Sequence, residues 1–240
     1  MTRQAAIVTG AGRGFGAAIA KALARAGAAD GGVVCVAEAD VTDRFQVFHA
    51  VGAAEAGIGP ITLLVSNAGV AGPFGPIGIV DPDEWWQALA VHLRGPLLLL
   101  SAALPGMRER RAGRIIVVAS LAGRLVTPHL SAYGMGKASQ IRLIQQIHAE
   151  NPDYGLSACA IEPGTAITEL ADGTIASPEA QRWLPGTVER LKRMKRTAGP
   201  APVLARRSQM CVALASGRYD ALSGQYLEPG DDLDVLLRAA

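Results

Sequence analysis

The feature that most constrains this chain is a repeated pair of patterns. A short, uniformly apolar run is followed by a longer segment with apolar residues at helical spacing. Runs suited to strands cover 5–8, 33–37, 61–65, 114–119, 157–161 and 225–227. Most are apolar throughout rather than alternating, as strands buried on both faces must be. Helical patterns fill 15–26, 44–56, 82–111 (interrupted by Gly95-Pro96), 131–150 and 202–215. In the first, Phe15, Ile19, Leu23 and Ala26 recur on one face. Thr42-Asp43 and Asp81-Pro82 are helix starts, since a short acceptor side chain can cap the first free N–H groups. This alternation specifies an α/β fold, a doubly wound parallel sheet in three layers. Residues 165–200 fit no strand and carry scattered Pro and Gly, so they are expected to form a substrate lid on a single domain spanning 1–240.

Composition narrows the function classes. Half of the 240 residues are hydrophobic, 18% are charged and the net charge is +2. That balance gives no electrostatic footprint for nucleic acid or a membrane surface, and neither is expected as a partner. Cys35, Cys159 and Cys211 are odd in number and lie in apolar runs, which reads as buried thiols in a reducing compartment. The N-terminus leads directly into AAIVTG, with no signal-peptide pattern. The longest apolar run, 96–104, is about half a membrane span. A cytoplasmic protein is expected. His49, His129 and His148 lack metal-ligand spacing, and no metal is expected.

Two short stretches carry chemistry. Thr9-Gly-Ala-Gly-Arg-Gly-Phe-Gly16 follows the first strand and opens the first helix. Glycines there let a pyrophosphate approach main-chain N–H groups at a helix N-terminus. The spacing of Gly10, Gly14 and Gly16 departs from G-x-G-x-x-G, although Gly12 adds freedom. Glycine-rich turns after a strand also occur in methyltransferases. The second stretch is Ser131-Ala-Tyr-Gly-Met-Gly-Lys137, with Tyr133 and Lys137 four apart on one helix face. A phenol titrates near ~10. A neighbouring ammonium favours the phenolate and is expected to lower that value, making Tyr133 a general acid/base. Ser120 ends the preceding strand, where open α/β sheets bind ligands.

With these residues in place the sequence resembles the short-chain dehydrogenase/reductase family over nearly its whole length. The matches occur in the family's order: TGAGRGFG at 9–16, DVTD at 40–43, SNAG at 66–69, Ser120, YGMGK at 133–137 and EPGTAIT at 162–168. The resemblance implies a Rossmann-like fold and hydride transfer between NAD or NADP and a carbonyl/alcohol substrate. It places Gly10, Gly12, Arg13, Gly14, Phe15 and Gly16 at the cofactor phosphates, and Asp40 and Val41 at the adenine. Asn67, Ala68 and Gly69 would line the wall beside the adenosine. Ser120 would hold the substrate oxygen, Tyr133 would exchange its proton, and Lys137 would bind the nicotinamide ribose. Pro163 and Gly164 would shape the nicotinamide pocket, and Thr168 would touch the carboxamide or phosphate. A homo-oligomer, tetramer or dimer, is also implied.

Two departures from the family pattern stand out. His92 occupies the position of an Asn that helps hold a water relaying protons to the lysine. An imidazole can hold a water and can also charge, so an altered proton relay is expected, with His92 counted among the catalytic residues. The second departure is AGAADGGVVCVAEADVTD at 26–43, where one strand–helix unit is absent after the first helix. A strand at 33–37 left in the family's third slot would strand two rows of backbone groups. Either that strand has moved into the second slot, or the chain is a shortened version of a longer one with a damaged adenosine pocket. In the first case Glu38, 22 residues after Gly16, would bind the ribose hydroxyls and favour NAD. Arg13 could instead meet a 2′-phosphate. The damaged pocket would leave a catalytically silent nucleotide-binding or scaffold protein.

Overall fold

Leu63–Ser66 is buried at all four positions. A strand buried on both faces needs helices above and below it, and the computed structural model, described over residues 5–27, 37–197 and 201–240, supplies them. The strands β1 (Ala6–Val8), β2 (Leu63–Ser66), β3 (Gly113–Val118), β4 (Leu156–Ile161) and β5 (Tyr226–Leu227) form one sheet in the order β1-β2-β3-β4-β5. Every neighbouring pair is parallel, with Val8 opposite Val65 and Val65 opposite Ile116. The expected α/β doubly wound sheet is therefore present.

Successive strand residues point to opposite faces, and this divides the core in two. On one face Leu64, Ile115, Val117, Ala158 and Ala160 meet α2 (Arg44–Ile58), α4 (Gly95–Arg110) and α5 (Ser131–Glu150). On the other, Leu63, Val65, Ile116, Val118, Cys159 and Ile161 meet α1 (Gly14–Ala26) and α9 (Ala201–Ala215). The buried Cys159 and Cys211 thiols are pushed up to about 12 by burial, so they act as apolar packing. Cys35 lies outside the described residues.

Capping follows the sequence reading. The Asp43 carboxylate accepts the Gln46 N–H at the start of α2, and Asp81 accepts the Asp83 and Glu84 N–H groups at the start of α3 (Pro82–Leu89). The interruption at Gly95-Pro96 is a π-turn, Ala90–Arg94, joining α3 to α4 without a break in helical sense. The run Pro82–Arg110 is long and apolar enough to cross a membrane by length and composition alone. Its Leu99, Leu100, Ala103 and Met107 nevertheless pack in the core.

The segment 165–200 holds no strand among its described residues. It carries three helices: α6 (Glu169–Ala176), α7 (Pro178–Trp183) and α8 (Pro185–Thr197). Each of the last two begins at a proline, and α6 and α7 are too short for a periodicity to register. The C-terminal α10 (Leu233–Ala239) escaped for the same reason.

Of the expected strand at 33–37, residues 33–36 lie outside the described residues, and 37–40 are neither helix nor strand. Among the described residues β1 has one ladder partner, β2. Because α1 covers one face and α2 the other, the chain changes face between Ala26 and Arg44.

Candidate active site

The C-terminal ends of β1, β2, β3 and β4 all open on the same side of the parallel sheet. At the end of β1, Gly10 adopts φ +64 and Gly14 φ +53, backbone states that favour glycine. A Cβ on Gly16 would lie 2.2 Å from the Gly10 carbonyl oxygen, whereas one on Gly12 would meet nothing within 4 Å. The turn is thus closed inward at Gly16 and open outward at Gly12. Arg13 caps α1 without a side-chain hydrogen bond, and no acidic residue occupies the first turn. Free N–H groups at an uncapped helix start, beside an open glycine face, suit an anion such as a pyrophosphate. Phe15, half-buried, follows within that first turn, and Arg13 itself is exposed.

The turn is held to β2 by a side chain the sequence reading passed over. Thr9 Oγ1 accepts the N–H groups of Asn67 and Ala68 at 2.9 and 3.1 Å, and Asn67 Nδ2 donates to the Thr9 carbonyl at 3.0 Å. Gly69 follows, and a Cβ there would press on His92 Cε1 at 2.9 Å. Thr168, which precedes α6, lies against Gly14, 3.4 Å from where its Cβ would stand. At the residues expected to meet the adenosine the geometry is looser. Asp40 is exposed and turns inward on its own loop, accepting the Thr42 N–H and hydroxyl at 2.8 and 2.9 Å. Val41 packs against Gly95 beside Thr9 and Ala68. Glu38 is exposed.

The ends of β3 and β4 and the first turns of α5 converge. Ser120 leaves β3 in extended conformation and its hydroxyl accepts the Ala122 N–H at 3.3 Å. Lys137, 4% exposed, donates from Nζ to the Val118 carbonyl at 2.7 Å and to Gln140 Oε1 at 3.1 Å. Its Nζ lies 5.6 Å from the Tyr133 ring centroid. Burial pulls Lys137 down to about 7, against the opposing charge of Glu162. The expectation that Tyr133 would be acidified needs correction. Burial raises its pKa above the usual phenol value, Ser120's hydrogen bond lowers it, and the Glu162 charge raises it further. Tyr133 is therefore a protonated donor at neutral pH.

His92 also departs from expectation. The imidazole is fully buried and edge-on to Tyr133, with ring centroids 5.4 Å apart. Its Nε2 meets the Val70 carbonyl at 2.8 Å, which fixes that nitrogen as the donor, and its Nδ1 has no hydrogen-bond partner. Burial and the Lys137 charge lower its pKa to about 3, although the bond to Val70 opposes this. A side chain able to charge in water is kept neutral here.

Two further residues shape the site. Gln140, 1% exposed, bridges Lys137 to the His92 carbonyl, to which its Nε2 donates at 2.9 Å. Its only signal in the sequence is a polar residue one turn after Lys137 on an otherwise buried helix face. Glu162 precedes Pro163 and Gly164 at the end of β4. Its carboxylate accepts the Leu121 N–H, the Tyr226 hydroxyl at 2.9 Å and the Gly164 N–H at 2.8 Å. One buried charge thus ties the loop after Ser120 to the loop that carries Pro163 and Gly164. A carboxylate ending an apolar strand is a signal that was available. Arg207 on α9 completes this corner by donating to the Pro163 carbonyl at 3.1 Å. Trp183 of α7 stacks at a tilt on His129, whose carbonyl accepts the Gly75 N–H at 2.9 Å. Trp85 donates its indole N–H to Ser131 at 2.9 Å, while Trp86 is exposed.

Comparison with known proteins agrees with this arrangement. A family model described as short chain dehydrogenase matches residues 29–178. The chain is 30% identical to a short chain dehydrogenase of Pseudocercospora fijiensis, covering 98% of this chain and 82% of that one. It is 34% identical to the short chain dehydrogenase pigC of Monascus ruber, over 82% of this chain, and spans 60% of that relative's length. It is 39% identical, over 69% of this chain and 72% of the relative, to the inactive 2-(S)-hydroxypropyl-CoM dehydrogenase 2 of Xanthobacter autotrophicus. Among solved structures, a gluconate 5-dehydrogenase from Burkholderia cenocepacia in complex with NADP and tartrate superposes with a TM-score of 0.78. Their sequences are 27% identical, and the superposition covers 100% of this chain and 97% of that one.

Proposed function

The chain belongs to the short chain dehydrogenase family of oxidoreductases, and on that premise we propose an NAD(P)-dependent reductase or dehydrogenase acting on a carbonyl/alcohol pair, with Tyr133 as general acid/base. One observation carries the reading. Ser120, Tyr133 and a desolvated Lys137 are gathered at the strand ends beside an open glycine turn and an uncapped helix start.

The residues present fit a dinucleotide. Gly10, Gly12, Gly14, Gly16 and the first turn of α1 would hold its pyrophosphate. Asn67, Ala68 and Gly69 would flank the adenosine, and Lys137, Pro163, Gly164 and Thr168 the nicotinamide end. The cofactor supplies the hydride. In the reductive direction Ser120 donates a hydrogen bond to the substrate carbonyl oxygen and orients it. Tyr133, kept protonated by burial, passes its hydroxyl proton to that oxygen. The Lys137 ammonium stands behind the phenol and stabilises the negative charge left on it. The tie made by Glu162 keeps Ser120 and Gly164 in fixed relation through these steps.

Glu38 and Arg13, both exposed at the adenosine side, are the residues that would decide between NAD and NADP. A homo-oligomer is part of the proposal, since Leu93 and Leu97 stand 37% and 50% exposed one helical turn apart. Light scattering would show a monomer if this part is wrong. Calorimetric titration with NADH and NADPH tests the main reading. Binding of one in the micromolar range, with turnover in a ketone screen, is expected. No binding at millimolar concentration of either would overturn the reading in favour of a silent scaffold, a state for which the inactive relative is a precedent.

A further inference from the structure

Pro96 has no N–H with which to close an α-helical bond back to the His92 carbonyl, four residues earlier. That carbonyl lies on the π-turn Ala90–Arg94, at a residue with no exposure. A buried carbonyl needs a donor, and the Gln140 amide supplies one from α5 at 2.9 Å. The other end of the same amide accepts from Lys137 Nζ. Close approach of the two elements is built in. A Cβ on Gly136 would lie 2.5 Å from His92 Cβ, so glycine beside Lys137 lets α5 seat against the π-turn.

We propose that Gln140 is the positioning residue of this site, holding the Lys137 ammonium toward Tyr133 by clamping it to the backbone of the π-turn that carries His92. The inference rests on the reading of Lys137 given above. An amide is a fixed acceptor on one end and a fixed donor on the other and does not titrate near neutral pH. The Val118 carbonyl, the other partner of Lys137, is likewise only an acceptor. His92, edge-on to Tyr133, is neutral with its one N–H committed to Val70. Neither hydrogen-bond acceptor of Lys137, the Val118 carbonyl or the Gln140 amide oxygen, can take up its proton. Its proton traffic is directed to Tyr133 and the cleft. The titratable groups facing it are Tyr133 on its own helix, His92 on the π-turn and Glu162 beyond β4.

The chain has four lysines, Lys21, Lys137, Lys192 and Lys195, so lysine labelled with 13C at Cε gives four signals, and Lys137→Arg assigns the one that matters. In the whole protein the Lys137 midpoint is expected at about 7. Gln140→Leu removes the acceptor without admitting water and should lower it by ~1 pH unit, while Gln140→Glu should raise it by a similar amount. The pH profile of kcat should move in the same directions. Should Gln140→Leu fail to fold, Gln140→Glu alone decides. A Lys137 midpoint that stays put in every folded variant would overturn the proposal. The NMR readout needs no turnover. Moving midpoints in a protein with no cofactor-dependent activity would sink the proposed function and leave Gln140 in its role.

Discussion

The two halves of the site are built to different standards. Around Ser120, Tyr133 and Lys137 the polar atoms are buried and mostly hydrogen-bonded, on elements packed from several sides. On the side expected to hold the cofactor, Gly12, Arg13, Glu38 and Asp40 are exposed, and Asp40 turns its carboxylate onto its own loop. A buried polar group must be satisfied in place or destabilise the fold, so the catalytic half is rigid before any ligand arrives. The exposed half has no such constraint, and much of its order would come from the cofactor. This contrast matches where the chain is short. The stretch 26–43, where the sequence departs from the family pattern, falls on the loose half and leaves the packed half untouched.

The contrast can be broken most directly at Tyr133. Tyr133→Phe should lower kcat by on the order of 10³-fold while leaving cofactor affinity within about twofold, as read by steady-state kinetics and calorimetry. An equal loss of both would mean that the halves are not separable.

The next largest effects concern stability. His92 has a folded pKa of about 3, depressed from 6.5. Above pH 6.5 neither state binds the proton, and as pH falls toward 3 the unfolded chain takes a proton that the fold refuses. Stability should therefore fall across that window, by on the order of 4 kcal/mol from this one residue. Denaturant melts of His92→Asn between pH 7 and pH 4 should show a shallower decline than wild type. Parallel curves would mean that the imidazole is hydrated in solution.

The glycine turn sharpens the comparison within a few residues. Gly16→Ala drives a methyl to 2.2 Å from a backbone oxygen and should cost ~2–3 kcal/mol in a denaturant melt. Gly12→Ala meets nothing within 4 Å and should change stability by less than ~0.5 kcal/mol, while weakening cofactor binding. If both variants melt alike, the turn is not closed inward as described. The smallest effect is expected at the exposed edge. Glu38→Gln should change the Kd for NADH by about tenfold or less, ~1 kcal/mol, and leave kcat alone. A collapse of activity would show that the outer half is more tightly coupled to the chemistry than its exposure implies.

Much of this was legible in the chain itself. Apolar runs without alternation gave parallel strands buried on both faces, and β3, β4 and α5 fell within a residue of where the pattern put them. Helices α6 and α7 were not legible, being too short for a periodicity. The candidate residues Ser120, Tyr133 and Lys137 were readable because spacing on one helix and position at a strand end are local properties. Titration is not local. The sequence predicted a phenol lowered by its lysine and an imidazole taking part in an altered proton relay. The fold instead raised the phenol and kept the imidazole neutral, because burial acts on every charge in the pocket and depends on residues far along the chain. Glu162 meeting Leu121 and Tyr226, and Gln140 meeting a carbonyl that Pro96 leaves without its α-helical partner, follow the same logic. Sequence determined which elements exist and which side chains stand at their ends. Only the tertiary structure decided what surrounds those side chains, and desolvation and long-range hydrogen bonds set their chemistry.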